Sequence, residues 1–212
     1  MLISAGFCLK SAVLLFWEGV FLKALEEKIL KEGIVLNEDV LKVGSFLNQQ
    51  LDTKLIAEMG EEIARIYNED GVTKILTIEA SGIPIAFAAG VKIGCPVVFA
   101  KKSKTSNLSG ECYTSSVYSF THNETYQIMV PCDFLCKSDG VVIVDDFLAN
   151  GEALRGLIDI VDKSGAKLIG CTCAIEKGFQ KGGDELRRQG YRIESLAIID
   201  KMDSSGITFR CN

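Results

Sequence analysis

The chain has 212 residues, of which 48% are hydrophobic and 24% are charged, and its formal net charge is −5 at pH 7. This length and apolar content are sufficient for one domain with a hydrophobic core and argue against intrinsic disorder. Because the charge balance is acidic, the chain lacks the general electrostatic signature of a nucleic-acid partner.

The first 21 residues differ in composition from the rest of the chain. They are apolar, but Lys10 and Glu18 interrupt the apolar run. The segment lacks the cationic start of a secretory signal and is short for a membrane span. We therefore expect residues 1–21 to be an extension outside the core and residues 22–212 to form the domain. A membrane anchor or an added packing or oligomerisation element are the alternatives.

The eight cysteines do not form a recognisable metal or disulfide pattern. Several lie in apolar runs such as residues 170–175, there is no Cys-x-x-Cys pair, and His122 is the only histidine. Zinc sites usually need paired ligands at short spacing. We expect reduced, mostly buried thiols in a cytoplasmic protein.

The first third of the chain predicts two helices. A helical stripe of apolar residues begins at Leu22 and stops at Gly33. Asp52 can cap a second amphipathic helix that ends near Asp70. Between these helices, residues 36–52 have no regular pattern.

From residue 74 onward, short β-rich runs alternate with helical patterns. Residues 101–111 are polar and are expected to form a loop, followed by a hairpin. Such alternation predicts a mainly parallel sheet with helices on both faces. The predicted strands are residues 74–78, 96–100, 116–120, 126–130, 141–144, 167–175, 191–199 and 207–211. The predicted helices are residues 82–93, 152–163 and 184–189.

Residues 141–153 contain the most specific pattern, which is a buried strand, the acids Asp145 and Asp146, a turn of small residues, and the start of a helix. Ligands of open α/β sheets bind at the carboxyl ends of the strands, and a helix N-terminus presents unpaired N–H groups to an anion. Asn150 and Gly151 can adopt the backbone conformations of a phosphate-binding turn. The two carboxylates can accept hydrogen bonds from sugar hydroxyls. A bare Asp-Asp pair is more often a solvated strand end, but the complete pattern favours a phosphorylated sugar.

This segment resembles the phosphoribosyl pyrophosphate motif of type I phosphoribosyltransferases, and the chain from about Leu22 to Arg210 is similar to bacterial xanthine phosphoribosyltransferases. The resemblance implies an α/β, type I phosphoribosyltransferase fold, with a mainly parallel twisted sheet flanked by helices. It also implies a small hood built from N- and C-terminal segments. The motifs that carry the resemblance are residues 41–48, 77–83, 116–121, 145–151 and 175–177.

The same resemblance implies a role for each part of the site. The phosphoribosyl pyrophosphate residues are Asp145, Asp146, Ala149, Asn150, Gly151, Glu152 and Ala153. The pyrophosphate loop comprises Glu79, Ala80, Ser81 and Gly82, and the mobile catalytic loop contains Lys101, Lys102 and Lys104. The purine-binding residues are Leu41, Asn48 and Lys177, in which the Lys177 ammonium would donate to a 6-oxo group and the Asn48 amide would read the base edge.

The implied reaction is purine salvage, in which the 5-phosphoribosyl group passes from phosphoribosyl pyrophosphate to xanthine. The expected cofactor is Mg²⁺, bound mainly through phosphoribosyl pyrophosphate, and the expected assembly is a homodimer. Hypoxanthine-guanine enzymes carry an aspartate near purine N7 at the position of Ala149. Xanthine- and adenine-type members, like this chain, lack that aspartate. Guanine, hypoxanthine and adenine enzymes remain alternatives, and a non-catalytic phosphoribosyl-pyrophosphate sensor is less favoured because the chain is acidic. We do not expect His122 to be catalytic.

Overall fold

The computed structural model describes residues 22–102, 110–119 and 124–211. The expected extension over residues 1–21 lies outside the described residues, as do Lys104 and His122. Nothing in the structure therefore bears on the expectations for these parts of the chain.

The described chain contains ten strands and five α-helices. The helices are α1 (Lys23–Glu32), α2 (Thr53–Ile66), α3 (Ile83–Ile93), α4 (Glu152–Ser164) and α5 (Gly182–Arg188). The first six strands are β1 (Ile34–Val35), β2 (Leu41–Lys42), β3 (Lys74–Ile78), β4 (Val97–Ala100), β5 (Cys112–Ser119) and β6 (Glu124–Pro131). The last four strands are β7 (Gly140–Leu148), β8 (Lys167–Lys177), β9 (Ile193–Asp203) and β10 (Gly206–Phe209).

Six strands form the central sheet in the order β10-β9-β8-β7-β3-β4. All neighbouring strands are parallel except β10, which runs antiparallel to β9. Strand β7 is buried on both faces, since Val142 and Val144 pack in one apolar cluster whereas Val141 and Ile143 pack in the other. This two-residue alternation explains the uninterrupted apolar run in the sequence. The predicted parallel α/β sheet is confirmed.

Helices and a hairpin cover the two faces of the sheet. The first cluster includes residues of α1, α2 and α3, and the second includes residues of α4 and of the β5–β6 hairpin. The Asp52 carboxylate accepts a hydrogen bond of 3.2 Å from the Leu55 N–H, so the predicted cap of α2 is confirmed. The seven cysteines within the described ranges are all free. None of the described helices is long and apolar enough to cross a membrane.

Several strands extend beyond their predicted bounds because pairing with a neighbour prolongs them. Strand β7 does not end at Val144; its ladder with β8 continues through Asp145 to Leu148. The predicted hairpin strands begin earlier, and Cys112 pairs with Pro131. The segment predicted as irregular, residues 36–52, contains β2 and a single π-helical turn over Gly44–Asn48, and β1 lies just before it.

A small hood lies over the end of β8. It contains the β1–β2 hairpin, whose tip carries Asp39. The Lys177 Nζ donates a 2.6 Å hydrogen bond to the Asp39 carbonyl, and the Gln180 amide donates a 3.0 Å hydrogen bond to the Asp39 carboxylate. These contacts hold the hood against the carboxyl edge of the sheet, as expected of a hood that uses an N-terminal segment.

Candidate functional site

The order in which strands are added to the sheet changes direction between the parallel strands β3 and β7. From β3 the chain continues through α3 to β4 on one side, and from β7 it continues through α4 to β8 on the other side. The β3–β7 ladder ends at the pair Leu76 and Ile143, whereas β3–β4 pairing continues to Ile78. A notch therefore opens between the carboxyl ends of β3 and β7. Such a topological switch point is where open α/β sheets bind ligands.

The turn that joins β7 to α4 forms one wall of the site. Gly151, with a φ of 87°, is the N-cap of the 13-residue helix α4 and supplies no side-chain cap to the first N–H groups of that helix. The positive φ favours glycine, and N–H groups that the N-cap residue leaves uncapped favour an anion. Gly182 lies behind the turn, because a Cβ placed on it would be 2.2 Å from the Ala149 carbonyl oxygen and 2.7 Å from the Gly151 nitrogen. The start of α5 therefore fixes the position of this turn.

One cavity of about 1020 Å³ connects the turn after β7 with the residues expected to bind the base. It contains the turn over residues 149–153 and all three expected base-binding residues. The sequence did not identify its other lining residues, which come mainly from the hood, the hairpin and the two strand ends. In chain order, the lining residues are Asn37, Asp39, Val40, Leu41, Asn48, Tyr118, Ser119, Phe147, Leu148, Ala149, Asn150, Gly151, Glu152, Ala153, Leu154, Lys177 and Gln180.

The two polar base-binding candidates present opposite hydrogen-bonding capacities. Lys177 is half-buried, with its ammonium 5.5 Å from the centre of the Phe147 ring. Burial lowers the pKa of Lys177, and the nearby charge of Asp39 partly opposes this shift. The Asn48 Nδ2 donates a 3.2 Å hydrogen bond to Asp146. Because a carboxylate only accepts, this contact assigns the Asn48 nitrogen to Asp146 and leaves its carbonyl oxygen available to a ligand.

The two adjacent acids are not equivalent. Asp145 is only 3% exposed, and burial, followed by the charge of Asp146, raises the pKa of Asp145 well above its ordinary value. Asp146 is half-buried, and its hydrogen bond with Asn48 connects it to the cavity. The sequence placed both acids in one role, whereas the structure separates a buried carboxyl group from an accessible one.

The expected pyrophosphate loop follows β3 on the other side of the notch. The Glu79 carboxylate accepts a 2.7 Å hydrogen bond from the Lys102 N–H, and the Glu79–Ala80 peptide bond is cis. A Cβ on Gly82 would lie 3.2 Å from the Asp145 carboxylate, so the loop packs directly against that acid. Lys101 forms a β-bridge with Met129. The loop and the two lysines do not line the cavity but border the same end of the sheet.

Hydrogen bonds between distant segments bring further residues into the site. Asp39 and Gln180 both line the cavity, and 141 positions separate them in sequence. No local pattern could have identified either residue. Phe147 lies within the acidic motif itself, where its position next to Asp146 was the available signal.

The oxygen donors of the site limit how a metal could be held. No group of three or more His, Cys, Asp or Glu side chains suited to a metal ion occurs in residues 22–102, 110–119 and 124–211. Asp145 and Asp146 offer carboxylate oxygens at the notch. This donor set fits a Mg²⁺ ion that enters with a phosphate ligand and keeps few protein contacts.

A parallel sheet with a glycine-capped turn before a helix, an acidic pair and a second loop at its switch point is typical of the type I phosphoribosyltransferase class. Residues 42–212 match the family described as the phosphoribosyl transferase domain. The chain is 51% identical over 190 residues to xanthine phosphoribosyltransferase 2 of Clostridium botulinum, and the match covers 89% of this chain and 100% of that protein. It is 51% identical over 183 residues to xanthine phosphoribosyltransferase of Lachnoclostridium phytofermentans, with 86% and 94% of the two chains covered. The chain belongs to the phosphoribosyltransferase family. Both of these relatives are xanthine phosphoribosyltransferases.

Solved structures support the same fold. Adenine phosphoribosyltransferase of Thermoanaerobacter pseudethanolicus superposes with a TM-score of 0.66 at 23% identity, covering 82% of this chain and 98% of the other. Adenine phosphoribosyltransferase of Trypanosoma brucei gives a TM-score of 0.68 at 19% identity, with 82% and 78% covered. At these identities the likeness concerns the fold alone.

Proposed function

We propose that the protein transfers the 5-phosphoribosyl group from phosphoribosyl pyrophosphate to xanthine, forming xanthosine 5'-monophosphate and pyrophosphate in purine salvage. One observation carries the proposal: a single cavity joins the phosphate-binding turn to Leu41, Asn48 and Lys177. The 51% identity to a xanthine phosphoribosyltransferase supports the choice of base.

The phosphate-binding turn, residues 149–153, is assigned to the 5-phosphate of the ribose. The first N–H groups of α4, which the N-cap Gly151 leaves uncapped, and the positive end of the α4 dipole favour an anion at this point. Asp146 and the buried Asp145 lie on β7, the strand that leads into this turn, and are assigned to the ribose hydroxyls. The loop over residues 79–82 faces them across the notch and is assigned to the pyrophosphate group.

Asn48 and Lys177 are assigned to the base because they form an acceptor–donor pair. An oxopurine presents a 6-oxo acceptor beside an N1–H donor, which complements the Lys177 ammonium and the Asn48 carbonyl oxygen. Adenine in the same orientation presents an amino donor and an unprotonated N1, which match neither the Lys177 ammonium nor the Asn48 carbonyl oxygen. A site built to form buried hydrogen bonds with one ligand discriminates strongly against a ligand that cannot form them. The Asn48 and Lys177 pair therefore favours an oxopurine over adenine.

The reaction requires positioning and electrostatic stabilisation. A purine nitrogen forms a bond to C1 of the ribose while the bond from C1 to the pyrophosphate oxygen breaks. The Asp146 carboxylate stabilises the positive charge that develops on the sugar, and the turn holds the 5-phosphate in place. Lys102 lies beside the pyrophosphate loop, and its segment is assigned to excluding water. When bound, Mg²⁺ neutralises charge on the pyrophosphate.

We assign the protein to the cytoplasm. The described cysteines are free, and free thiols persist in a reducing compartment. The substrates assigned to the site are phosphoribosyl pyrophosphate, with Mg²⁺, and a purine base. A sensor that binds phosphoribosyl pyrophosphate without turnover is the alternative that the same site permits.

Steady-state kinetics with a panel of bases tests the proposed function. With Mg²⁺ and phosphoribosyl pyrophosphate, kcat/KM is expected to be highest for xanthine among xanthine, guanine, hypoxanthine, adenine and orotate. Omission of phosphoribosyl pyrophosphate is the control. Highest activity with adenine or orotate would contradict the assignment, and binding without turnover on any base would favour the sensor.

An apolar surface on α3 and β4 supports the homodimer expected from the family resemblance. Phe87 and Val91, one helical turn apart on α3, are 65% and 62% exposed, and Phe99 on β4 is 39% exposed. Lys92 is the only charged residue of α3. Within the described part of the chain, β4 is the last strand of the sheet. Exposed apolar side chains on a helix and on the edge strand next to it are typical of an interface.

Phe87→Asp is therefore expected to convert a dimer into a monomer, because it places a charge in the centre of this apolar surface. Sedimentation velocity measures the change in mass. Phe134→Asp is the matched control, since Phe134 is 57% exposed but lies in a short turn after β6. A monomeric wild-type protein, or a variant that still dimerises, would contradict the expectation.

A further inference from the structure

Thr77 on β3 carries a buried hydroxyl group that forms no hydrogen bond. The residue is 0% exposed, and its Oγ1 is the only buried side-chain nitrogen or oxygen without a partner among residues 22–102, 110–119 and 124–211. A buried polar group without a partner is unfavourable, and valine has nearly the same shape without the hydroxyl. The presence of threonine at this position therefore needs a reason outside the free protein.

The hydroxyl group lies on the floor of the notch. Leu76 is the last residue of β3 that pairs with β7, so Thr77 lies where the two strands separate. A Cβ built on Gly82 would be 2.2 Å from the Thr77 Oγ1 and 3.2 Å from the Asp145 Oδ1. The hydroxyl is thus directly under the last residue of the pyrophosphate loop and next to the buried acid.

A second buried threonine in the same sheet shows the ordinary arrangement. Thr172 on β8 is also 0% exposed, but its hydroxyl donates a 3.1 Å hydrogen bond to the Tyr67 hydroxyl. Tyr67 in turn donates a 3.2 Å hydrogen bond to the Cys171 carbonyl. Thr172 is thus satisfied within the free protein, whereas the unpaired threonine lies under the loop assigned to pyrophosphate.

We propose that Thr77 is a positioning residue for the pyrophosphate loop, and that its hydroxyl gains its hydrogen bond when pyrophosphate or phosphoribosyl pyrophosphate occupies that loop. The proposal rests on the proposed function. The acceptor is an oxygen atom in the notch once ligand is bound, either of the Asp145 carboxylate or of a loop carbonyl. A small rearrangement of the loop would bring this oxygen within hydrogen-bonding distance of the hydroxyl. Because this hydrogen bond exists only in the ligand-bound protein, it stabilises the bound state relative to the free state and so contributes to the affinity for the ligand.

Thr77→Val tests the proposal by removing the hydroxyl while keeping the shape. In the presence of Mg²⁺, calorimetry should show binding of pyrophosphate and phosphoribosyl pyrophosphate weakened by about 10- to 30-fold, the effect of one lost hydrogen bond. Binding of ribose 5-phosphate, which lacks the pyrophosphate group, should not change. The KM for phosphoribosyl pyrophosphate should rise, whereas the KM for xanthine should not.

Thermal unfolding of the free protein supplies the second readout. Thr77→Val should keep or raise the Tm, because no hydrogen bond is lost, whereas Thr172→Val should lower the Tm and keep the wild-type affinity for pyrophosphate. Thr77→Ser should restore pyrophosphate binding. Wild-type affinity in Thr77→Val, or a fall in its Tm equal to that of Thr172→Val, would overturn the proposal. Failure of the wild-type protein to bind phosphoribosyl pyrophosphate would instead overturn the proposed function.

Discussion

Gly182→Ala is expected to weaken the binding of Mg²⁺–phosphoribosyl pyrophosphate by on the order of 100-fold, because it displaces the phosphate-binding turn. The added Cβ would lie 2.2 Å from the Ala149 carbonyl oxygen and 2.4 Å from the Asn150 carbonyl carbon. These are backbone atoms of the turn, so rotation of a side chain cannot relieve the contact. The turn must move, and the N–H groups that face the phosphate move with it. Isothermal titration calorimetry measures the loss of affinity.

Gly190→Ala is the matched control for Gly182→Ala. Gly190 follows α5 with a φ of 93°, and a Cβ on it would meet nothing within 4 Å. Alanine there strains the backbone by about 1–2 kcal/mol without touching the turn. We expect a lower Tm with unchanged affinity. Unchanged affinity in Gly182→Ala would show that the start of α5 does not position the site.

Lys177→Met is expected to lower kcat/KM for xanthine by roughly 10- to 150-fold, which is the value of a charge-assisted hydrogen bond. Methionine keeps the apolar stem beside Phe147 but removes the ammonium donor. The loss should be smaller for adenine, which carries an amino group where xanthine carries the 6-oxo group. Steady-state kinetics with both bases measures the ratio.

Lys201→Met is the control for the removal of a lysine charge. The Lys201 side chain is 69% exposed and pairs with Asp203, and neither residue lines the cavity. Such an exposed pair contributes little, so the kinetics should stay close to those of the wild type. An equal loss for xanthine and adenine in Lys177→Met would assign Lys177 to holding the hood through Asp39 instead of to the base.

The pH profile supplies a second test of Lys177. Burial lowers the pKa of this lysine from its ordinary value of 10.5, so the charged donor is complete at low pH and is lost as pH rises through a value below 10.5. An alkaline fall in kcat/KM should therefore begin below that of an exposed lysine. Lys177→Arg should move this fall upward, since arginine stays charged. Ionisation of the base itself affects both proteins equally.

The sequence by itself determined the elements that local patterns specify. The apolar run of β7 predicted a strand buried on both faces, and the Asp52 cap predicted the start of α2. The acids and small residues before Glu152 predicted an anion-binding turn at the end of a strand. These predictions depend on periodicity, backbone freedom and helix capping, which act over a few neighbouring residues.

Only the tertiary structure decided how these parts meet. Strand β7 continues past Val144 because β8 pairs with it, and Asn48 faces Asp146 across 98 positions of sequence. The same pairing buries Asp145 while Asp146 stays accessible, and the separation of β3 from β7 leaves the Thr77 hydroxyl unpaired. Burial and hydrogen bonding depend on which distant segments lie side by side. The desolvation and partners of a side chain are therefore fixed only when the sheet has assembled.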